Sequence, residues 1–119
     1  MSNQSYPYIQ KDQSCNYDAS KVIVNVQGTV AALRNPDGLK QALMVGPASI
    51  SLHASFEPFL HYSGGIFDYP DCPTNVDHAV HTVGWGRETN QGTGVTKDYF
   101  IIRNSWGPTW GEQGYIRIA

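Results

Sequence analysis

Two short segments of the chain combine a side chain that can transfer or orient a proton with apolar neighbours that can hold it in place. In Val76-Asp77-His78-Ala79-Val80, an imidazole occupies the first position of an apolar run. Because imidazole changes charge near neutral pH, a histidine held at the start of a strand suits a general base. Farther along, Asn104 follows the β-rich residues 99–103. A buried amide there needs a partner, since leaving it unsatisfied costs about 1–3 kcal/mol.

Each segment also has a plain structural interpretation. An isolated Asp-His pair more often closes a loop than takes part in catalysis, because short motifs recur by chance. The residues after Asn104 include Trp106 and Trp110, separated by glycines. They predict a bulky apolar wall on a tight backbone, which fits a packing turn as well as a functional one.

The predicted strands decide which side chains can meet. Residues 78–85 predict a strand in which Val80 and Thr82 share a face with His78, while Ala79 and His81 face the other way. Residues 98–104 predict a second strand, with Asn104 at its end and on the face of Ile102. A last strand is expected at residues 114–118.

Upstream, Asn35-Pro36 predicts the start of a helix that Gly46-Pro47 ends, since Asn is a good N-cap and Pro suits the first helical position. The remaining expectations are a strand over residues 22–28, a strand over 48–54 with Ala48, Ile50 and Leu52 on one face, a short turn or helix over 56–62, a short strand over 65–69 and a polar hairpin loop over 86–94. Short strands with one helix predict an α+β domain dominated by an antiparallel sheet.

Composition limits the function classes. A chain of 119 residues with 40% apolar residues favours one packed domain. The net charge of −2 gives no reason to expect nucleic acid or an anionic membrane as a partner. We find no apolar run long enough for a membrane helix and no secretory signal in the first residues. Cys15 and Cys72 could pair, stay reduced or each lack a partner.

The two segments together resemble the active-site His and Asn regions of papain-like cysteine proteases. The resemblance rests on the following stretches, which occur in the family's order: Tyr6-Pro7-Tyr8, Gly46-Pro47-Ala48-Ser49-Ile50, Tyr62-Ser63-Gly64-Gly65-Ile66-Phe67, Asp77-His78-Ala79-Val80, Gly84-Trp85-Gly86, Asn104-Ser105-Trp106-Gly107, Trp110-Gly111 and Gly114-Tyr115-Ile116. It covers essentially the whole chain and is strongest with cathepsin L-like members. It implies a papain-like fold, of which this chain is the antiparallel β-barrel-like lobe with one short helix, without the helical lobe. Residues 1–21 would form an irregular leader and residues 22–119 the lobe.

The resemblance also implies roles for single residues. His78 resembles the base that takes the proton of the nucleophilic thiol and later protonates the leaving amine. Asn104 resembles the residue whose side-chain oxygen accepts from the other imidazole nitrogen and fixes the ring plane. Trp106 would cover that hydrogen bond and exclude water. The family acts on peptide or protein substrates without a cofactor, in lysosomes, vacuoles or secretions.

Other positions imply a substrate surface. The positions near the family's second specificity pocket correspond to Ser51, Val76, Asp77 and Ala79, and Trp106 corresponds to the wall on the leaving-group side. His81 departs from the family, which has an apolar residue there, and we expect it to be packed or hydrogen-bonded.

The nucleophile is expected outside these residues. The family signature Cys-Gly-(Ser/Ala)-Cys-(Trp/Tyr) lies about 130–150 residues before the His and Asn, and neither Cys15 nor Cys72 has that context. By resemblance, each of these cysteines bridges to a segment that is not in the chain, so we expect no bond between them. The chain is therefore expected to be a fragment that needs the helical lobe, or a chain supplying it, and to be inactive alone.

Three alternatives remain at this stage. A papain-like half could serve as a non-catalytic binding or structural module in an assembly. A metal site could form from Cys72, His78 and His81, with His53 or His61 as the fourth ligand, although the spacing fits no compact zinc pattern. A serine hydrolase is disfavoured, because no Gly-x-Ser-x-Gly elbow occurs.

Overall fold

The computed structural model describes all residues, Met1–Ala119, as two compact units, Met1–Ala31 and Ala32–Ala119. The first unit contains the predicted leader. Its only regular element is a 3-10 helix at Ala19–Lys21, where the Asp18 side chain accepts from the backbone N–H of Ser20 at 3.0 Å. No helix in the chain is both long and apolar enough to cross a bilayer.

The strand predicted for residues 22–28 is wrong. These residues are irregular, and Val24 and Val26 are exposed. An alternating pattern makes a strand only when a neighbouring strand completes its hydrogen bonds, and the first unit contains no strand at all.

The second unit is built on a sheet of five strands: β1 (Ala48–Leu52), β2 (Ile66–Phe67), β3 (His78–Thr89), β4 (Thr96–Arg103) and β5 (Tyr115–Ile118). Their spatial order is β1-β3-β4-β5-β2. All neighbouring pairs are antiparallel except β2 and β5. The predicted antiparallel character is therefore confirmed, and the barrel-like lobe is an open sheet, with β1 and β2 at its two edges.

The two helices of this unit are α1 (Pro36–Leu43) and the single-turn α2 (Glu57–Leu60). The predicted start of α1 is confirmed, because Asn35 is its N-cap and its Oδ1 accepts from the Gly38 N–H at 2.7 Å. The α1 helix contacts β1 and β3. The α2 helix lies where a short turn or helix was expected.

The β3–β4 hairpin is longer than the sequence indicated. Strand β3 continues to Thr89, so the first four residues of the loop predicted for residues 86–94 are strand, and residues 90–94 form the turn. Thr89 and Thr96 face each other with their hydroxyl oxygens 2.8 Å apart, and the turn closes through the Asn90 N–H, which donates to Val95 O at 2.9 Å. The polar residues at this end of the hairpin belong to strands that are exposed to solvent. Such strands can form because pairs of side chains facing each other across the ladder stabilise it without being buried.

The core lies on one face of the sheet. Its buried members come from three strands, from α2 and from the adjoining loops: Ala54, Phe59, Tyr62, Val80, Ile102 and Ile116. Phe59 and Ile116 are almost completely buried. The strand residues are the ones that alternation directs inward, so binary patterning accounts for this half of the core.

An ion-pair network joins strands β3 and β5 to the turn before β5. Arg117 donates from Nε and Nη2 to the two carboxylate oxygens of Glu112, at 2.9 and 2.8 Å, and from Nη1 to Glu88 at 2.6 Å. Glu112 also accepts from the Gly65 N–H at 2.9 Å. The hydrogen bonds from Arg117 hold the pKa of the Glu112 carboxyl below its usual value.

Replacing Glu112 with Gln should lower the free energy of unfolding by about 1.5–3 kcal/mol at neutral pH, because charge-assisted hydrogen bonds are lost. The Glu112 carboxyl has its pKa lowered by folding, so it stabilises the folded state at pH values above its unfolded pKa. That stabilisation disappears as the pH falls through the folded pKa. Urea unfolding at several pH values should therefore show a smaller acid-side slope in E112Q. The control is Glu57→Gln, whose side chain is exposed. A slope equal to that of the wild type would contradict the network's role.

Candidate active site

The site forms where β3 begins and β4 ends. His81 lies opposite Arg103 in the β3–β4 ladder, so His78 and Asn104 both lie at the same end of this strand pair. There the His78 Nε2 and the Asn104 Oδ1 are 2.9 Å apart, although the residues are 26 positions apart in the chain. The sequence predicted this meeting of imidazole and amide, and the structure contains it.

The hydrogen-bond pattern fixes the proton on the imidazole. Asn104 Oδ1 also accepts from the Ser105 backbone N–H at 2.7 Å, which identifies it as the oxygen of the amide, since an amide nitrogen there would direct its own N–H groups at this donor. His78 Nε2 must therefore carry hydrogen and donate it. In the neutral ring, Nδ1 is then the acceptor, and it has no hydrogen-bond partner in the chain.

Burial strengthens this bond. Asn104 is only 8% exposed, and its backbone N–H donates to Gly114 O at 2.9 Å. The Trp106 ring lies against the imidazole of His78, with centroids 5.1 Å apart and planes 31° apart. A hydrogen bond shielded from water is electrostatically stronger than an exposed one. The buried Asn104 Nδ2 has no partner, so the oxygen carries all the polar contacts of this amide.

Aromatic packing holds Trp106 in place. Its ring meets Phe59 edge-on at 5.6 Å and Trp110 edge-on at 5.3 Å. Trp110 in turn donates its indole N–H to Leu60 O at 3.1 Å. Trp106 remains 38% exposed, so one part of the ring is anchored to the core and another faces outward.

The turn between Asn104 and β5 depends on glycine. Gly111 has a φ of +57°, and a Cβ there would lie 2.5 Å from the backbone oxygen of Tyr115. A side chain at this position would therefore force the backbone of β5 away from the turn that carries both tryptophans.

The predicted substrate-surface residues are distributed over three places. Ser51 and Ala79 are exposed Cα partners across β1 and β3, and Val76 is exposed in the loop before β3. The Asp77 carboxylate accepts from the Ala54 N–H at 2.7 Å. That bond, first among several contacts, lowers the pKa of Asp77 below its usual value. Of these predicted residues, only Trp106 packs an aromatic ring against the imidazole of His78.

The expectation for His81 is wrong. Its side chain is exposed and makes no hydrogen bond, because strand alternation directs it away from the core. It borders an open groove of about 430 Å³ that also reaches Ala79, Arg103 and Asn104.

The alternative metal site does not form. No group of three or more His, Cys, Asp or Glu side chains lies close enough to hold a metal ion. The candidate histidines have separate partners, since His53 lies beside Asp77, His61 beside Glu57 and His78 beside Asn104. Both Cys15 and Cys72 are exposed free cysteines.

Sequence reasoning missed two contributors to the site. The Ser105 N–H completes the hydrogen bonds of Asn104, and His53 lies against the loop that leads into His78. His53 was considered only as a metal ligand. The sequence carries no signal that Leu52 pairs with His78, and that register is what brings position 53 to this loop.

A family profile described as papain family cysteine protease matches residues 1–119. The chain belongs to the papain family. Mouse (Mus musculus) procathepsin L is 42% identical over 121 aligned residues, covering 99% of this chain and 35% of that protein. Digestive cysteine proteinase 3 of Homarus americanus is 39% identical, covering 97% and 35%, and human (Homo sapiens) cathepsin L2 is 39% identical, covering 99% and 36%.

A solved structure agrees with this papain-family membership. The bromelain protease from Ananas comosus, in complex with the E64 inhibitor, matches with a TM-score of 0.60 and 36% identity, over 71% of this chain and 36% of that one. The papain-like fold is thus confirmed, as is the cathepsin L-like character. This papain-family chain spans about a third of the length of the curated relatives named above.

Replacing Gly111 with Ala should destabilise the unit strongly. Both Gly111 and the control Gly94 have positive φ, so Ala costs about 1–2 kcal/mol at either place. Only Gly111 also faces a backbone atom, and that overlap should cost roughly 1–3 kcal/mol more. Urea unfolding of G111A and G94A measures the difference. Equal losses in the two variants would show that the turn has room for a side chain.

Proposed function

We propose that this chain supplies the general base and its orienting amide to a cysteine-type peptidase, with His78 as the base and Asn104 as the amide. The observation that carries the proposal is the 2.9 Å contact between His78 Nε2 and Asn104 Oδ1, shielded by Trp106. It supports the proposal because it leaves Nδ1 of the ring as the nitrogen that can accept a proton.

The proton path follows from this arrangement. Nδ1 of His78 takes the proton of a cysteine thiol, giving a thiolate and an imidazolium. The thiolate attacks the peptide carbonyl carbon, and the departing amine receives the proton from Nδ1 as the C–N bond breaks. Throughout, the Nε2–H stays on Asn104 Oδ1, so the ring neither turns nor changes its donor. These steps leave the acyl part of the substrate joined to the cysteine sulfur as a thioester. Water then hydrolyses this thioester, which releases the acid and restores the thiol.

The thiol comes from a helical lobe that lies outside these residues, in our proposal. Cys15 and Cys72 are free, but neither has the family's nucleophile context. Sγ of Cys72 makes its one polar contact with Pro73 O, at 3.7 Å. Residues 1–119 thus act as the carboxyl-terminal part of a peptidase domain, and alone they hydrolyse nothing.

The proposed substrates are peptides or proteins. Exposed Ser51, Val76 and Ala79 are small or apolar, which suits contact with an apolar substrate side chain. Asp77 would contribute through its backbone, because its carboxylate is bonded to the Ala54 N–H. The exposed part of Trp106 would line the leaving-group side. As in the family generally, the expected compartment is lysosomal, vacuolar or secreted.

A chimera tests the proposal. It joins this chain to the part of mouse procathepsin L that lies outside the matched region. The chimera should hydrolyse a peptide substrate, and His78→Ala should lower kcat/KM by about 10²–10⁴-fold or more, the usual contribution of a general acid–base group. The chain without the added part should show no turnover.

The control is His61→Ala, which removes an exposed histidine paired only with Glu57 and should leave activity unchanged. Full activity in the H78A chimera would refute the role of His78. A folded but inactive chimera would instead favour a non-catalytic, papain-like binding module. Turnover by the chain alone, abolished by H78A, would contradict the need for a thiol from elsewhere.

A further inference from the structure

A cluster of hydrogen bonds anchors the residues that lead into His78. The Asp77 N–H donates to Leu52 O at 3.0 Å, and the Asp77 carboxylate accepts from the Ala54 N–H at 2.7 Å. His53 is the residue between Leu52 and Ala54 in the chain. Its Nδ1 lies 2.7 Å from Asn75 O and 3.1 Å from the second carboxylate oxygen of Asp77. We call these five residues the His53 clamp.

The chemistry of the clamp requires a hydrogen on His53 Nδ1. Both groups facing this nitrogen, Asn75 O and the Asp77 carboxylate, are acceptors, so Nδ1 must be the donor whether the ring is neutral or charged. The side chain is only 10% exposed, and its ring packs on Phe56 with centroids 5.5 Å apart. One well-buried donor therefore bonds the backbone of Asn75 and lies beside the carboxylate of Asp77 in the same loop.

The loop depends on these contacts. Residues 68–77 contain no helix or strand, and most of them are exposed. Within the loop, the backbone is closed by one bond, from the Cys72 N–H to Tyr69 O at 3.2 Å. At its end, His78 begins β3 and has only Leu52 opposite it on the β1 side. The direction in which the His78 ring leaves the backbone is thus set by how residues 75–77 are held.

We propose that His53 is a positioning residue for the His78–Asn104 pair. By bonding Asn75 and lying beside the Asp77 carboxylate, it fixes the start of β3 so that the Nε2–H of His78 points at Asn104 Oδ1. The catalytic part of this inference rests on the function proposed above, while the geometric part does not.

Two amide variants separate this role from mere packing. His53→Asn places an NH₂ group at the δ position, where it can replace the Nδ1 donor, whereas His53→Gln places it one bond farther out. His53→Ala removes the donor altogether. The readout is the solvent exchange of the His78 Nε2 proton, followed by NMR in the chain, with the amides of Val80 and Ile102 reporting on the sheet.

Loss of the clamp should speed exchange of the His78 ring proton about tenfold in H53A and H53Q, the effect of one lost hydrogen bond. H53N should restore the wild-type rate, and the Val80 and Ile102 amides should stay protected. Unchanged ring-proton exchange in H53A would overturn the proposal. If H53A unfolds, the comparison of H53N with H53Q decides, and equal behaviour of those two variants overturns it.

Kinetics in the chimera separate this inference from the proposed function. A positioning role predicts that H53A lowers kcat with little change in KM and that H53N recovers it. If H78A abolishes activity while H53A is fully active, the positioning role of His53 alone is wrong. If H78A is active, the proposed function fails, and ring-proton exchange in the chain still tests the clamp.

Discussion

The register of β3 against β4 is the constraint on which the site depends. In the part of the ladder nearer the hairpin turn, Thr89 lies opposite Thr96 and Trp85 lies opposite Phe100. If this register continued along the strands, His81 would lie opposite Asn104. A shift between Thr82 and Gly84 moves the ladder by one residue, so that His81 meets Arg103 instead. Because side chains alternate, a one-residue shift exchanges the faces of β4. The shift directs Ile102 into the core, and it brings Asn104 to the side of the sheet on which His78 lies.

Beyond that strand end, two kinds of contact keep the amide in place. The turn after Asn104 returns to bond its backbone through Gly114, and the Glu112–Arg117 ion pair ties the same turn to β5. On the other side, Trp106 closes over the imidazole and is itself packed on Phe59. The hydrogen bond is therefore covered by a ring that packs on the core residue Phe59, which links the stability of the lobe to the geometry of the site.

Much of this arrangement could be predicted from the sequence. The N-cap at Asn35, the inward face of β1 and the meeting of His78 with Asn104 follow from local signals or from the family's motifs. The strand expected at residues 22–28 failed because alternation cannot say whether a partner strand exists. The exposure of His81 and the His53 clamp depend on long-range pairing, which no local pattern encodes.

Proton NMR of the His78 ring tests the central claim most directly. If Nε2–H donates to Asn104 Oδ1 in a site shielded from water, the chain should show a slowly exchanging ring proton on Nε2 of His78, and Asn104→Ala should abolish its protection while leaving the Val80 amide protected. A ring proton found on Nδ1 instead, or one that stays equally protected in N104A, would contradict the account.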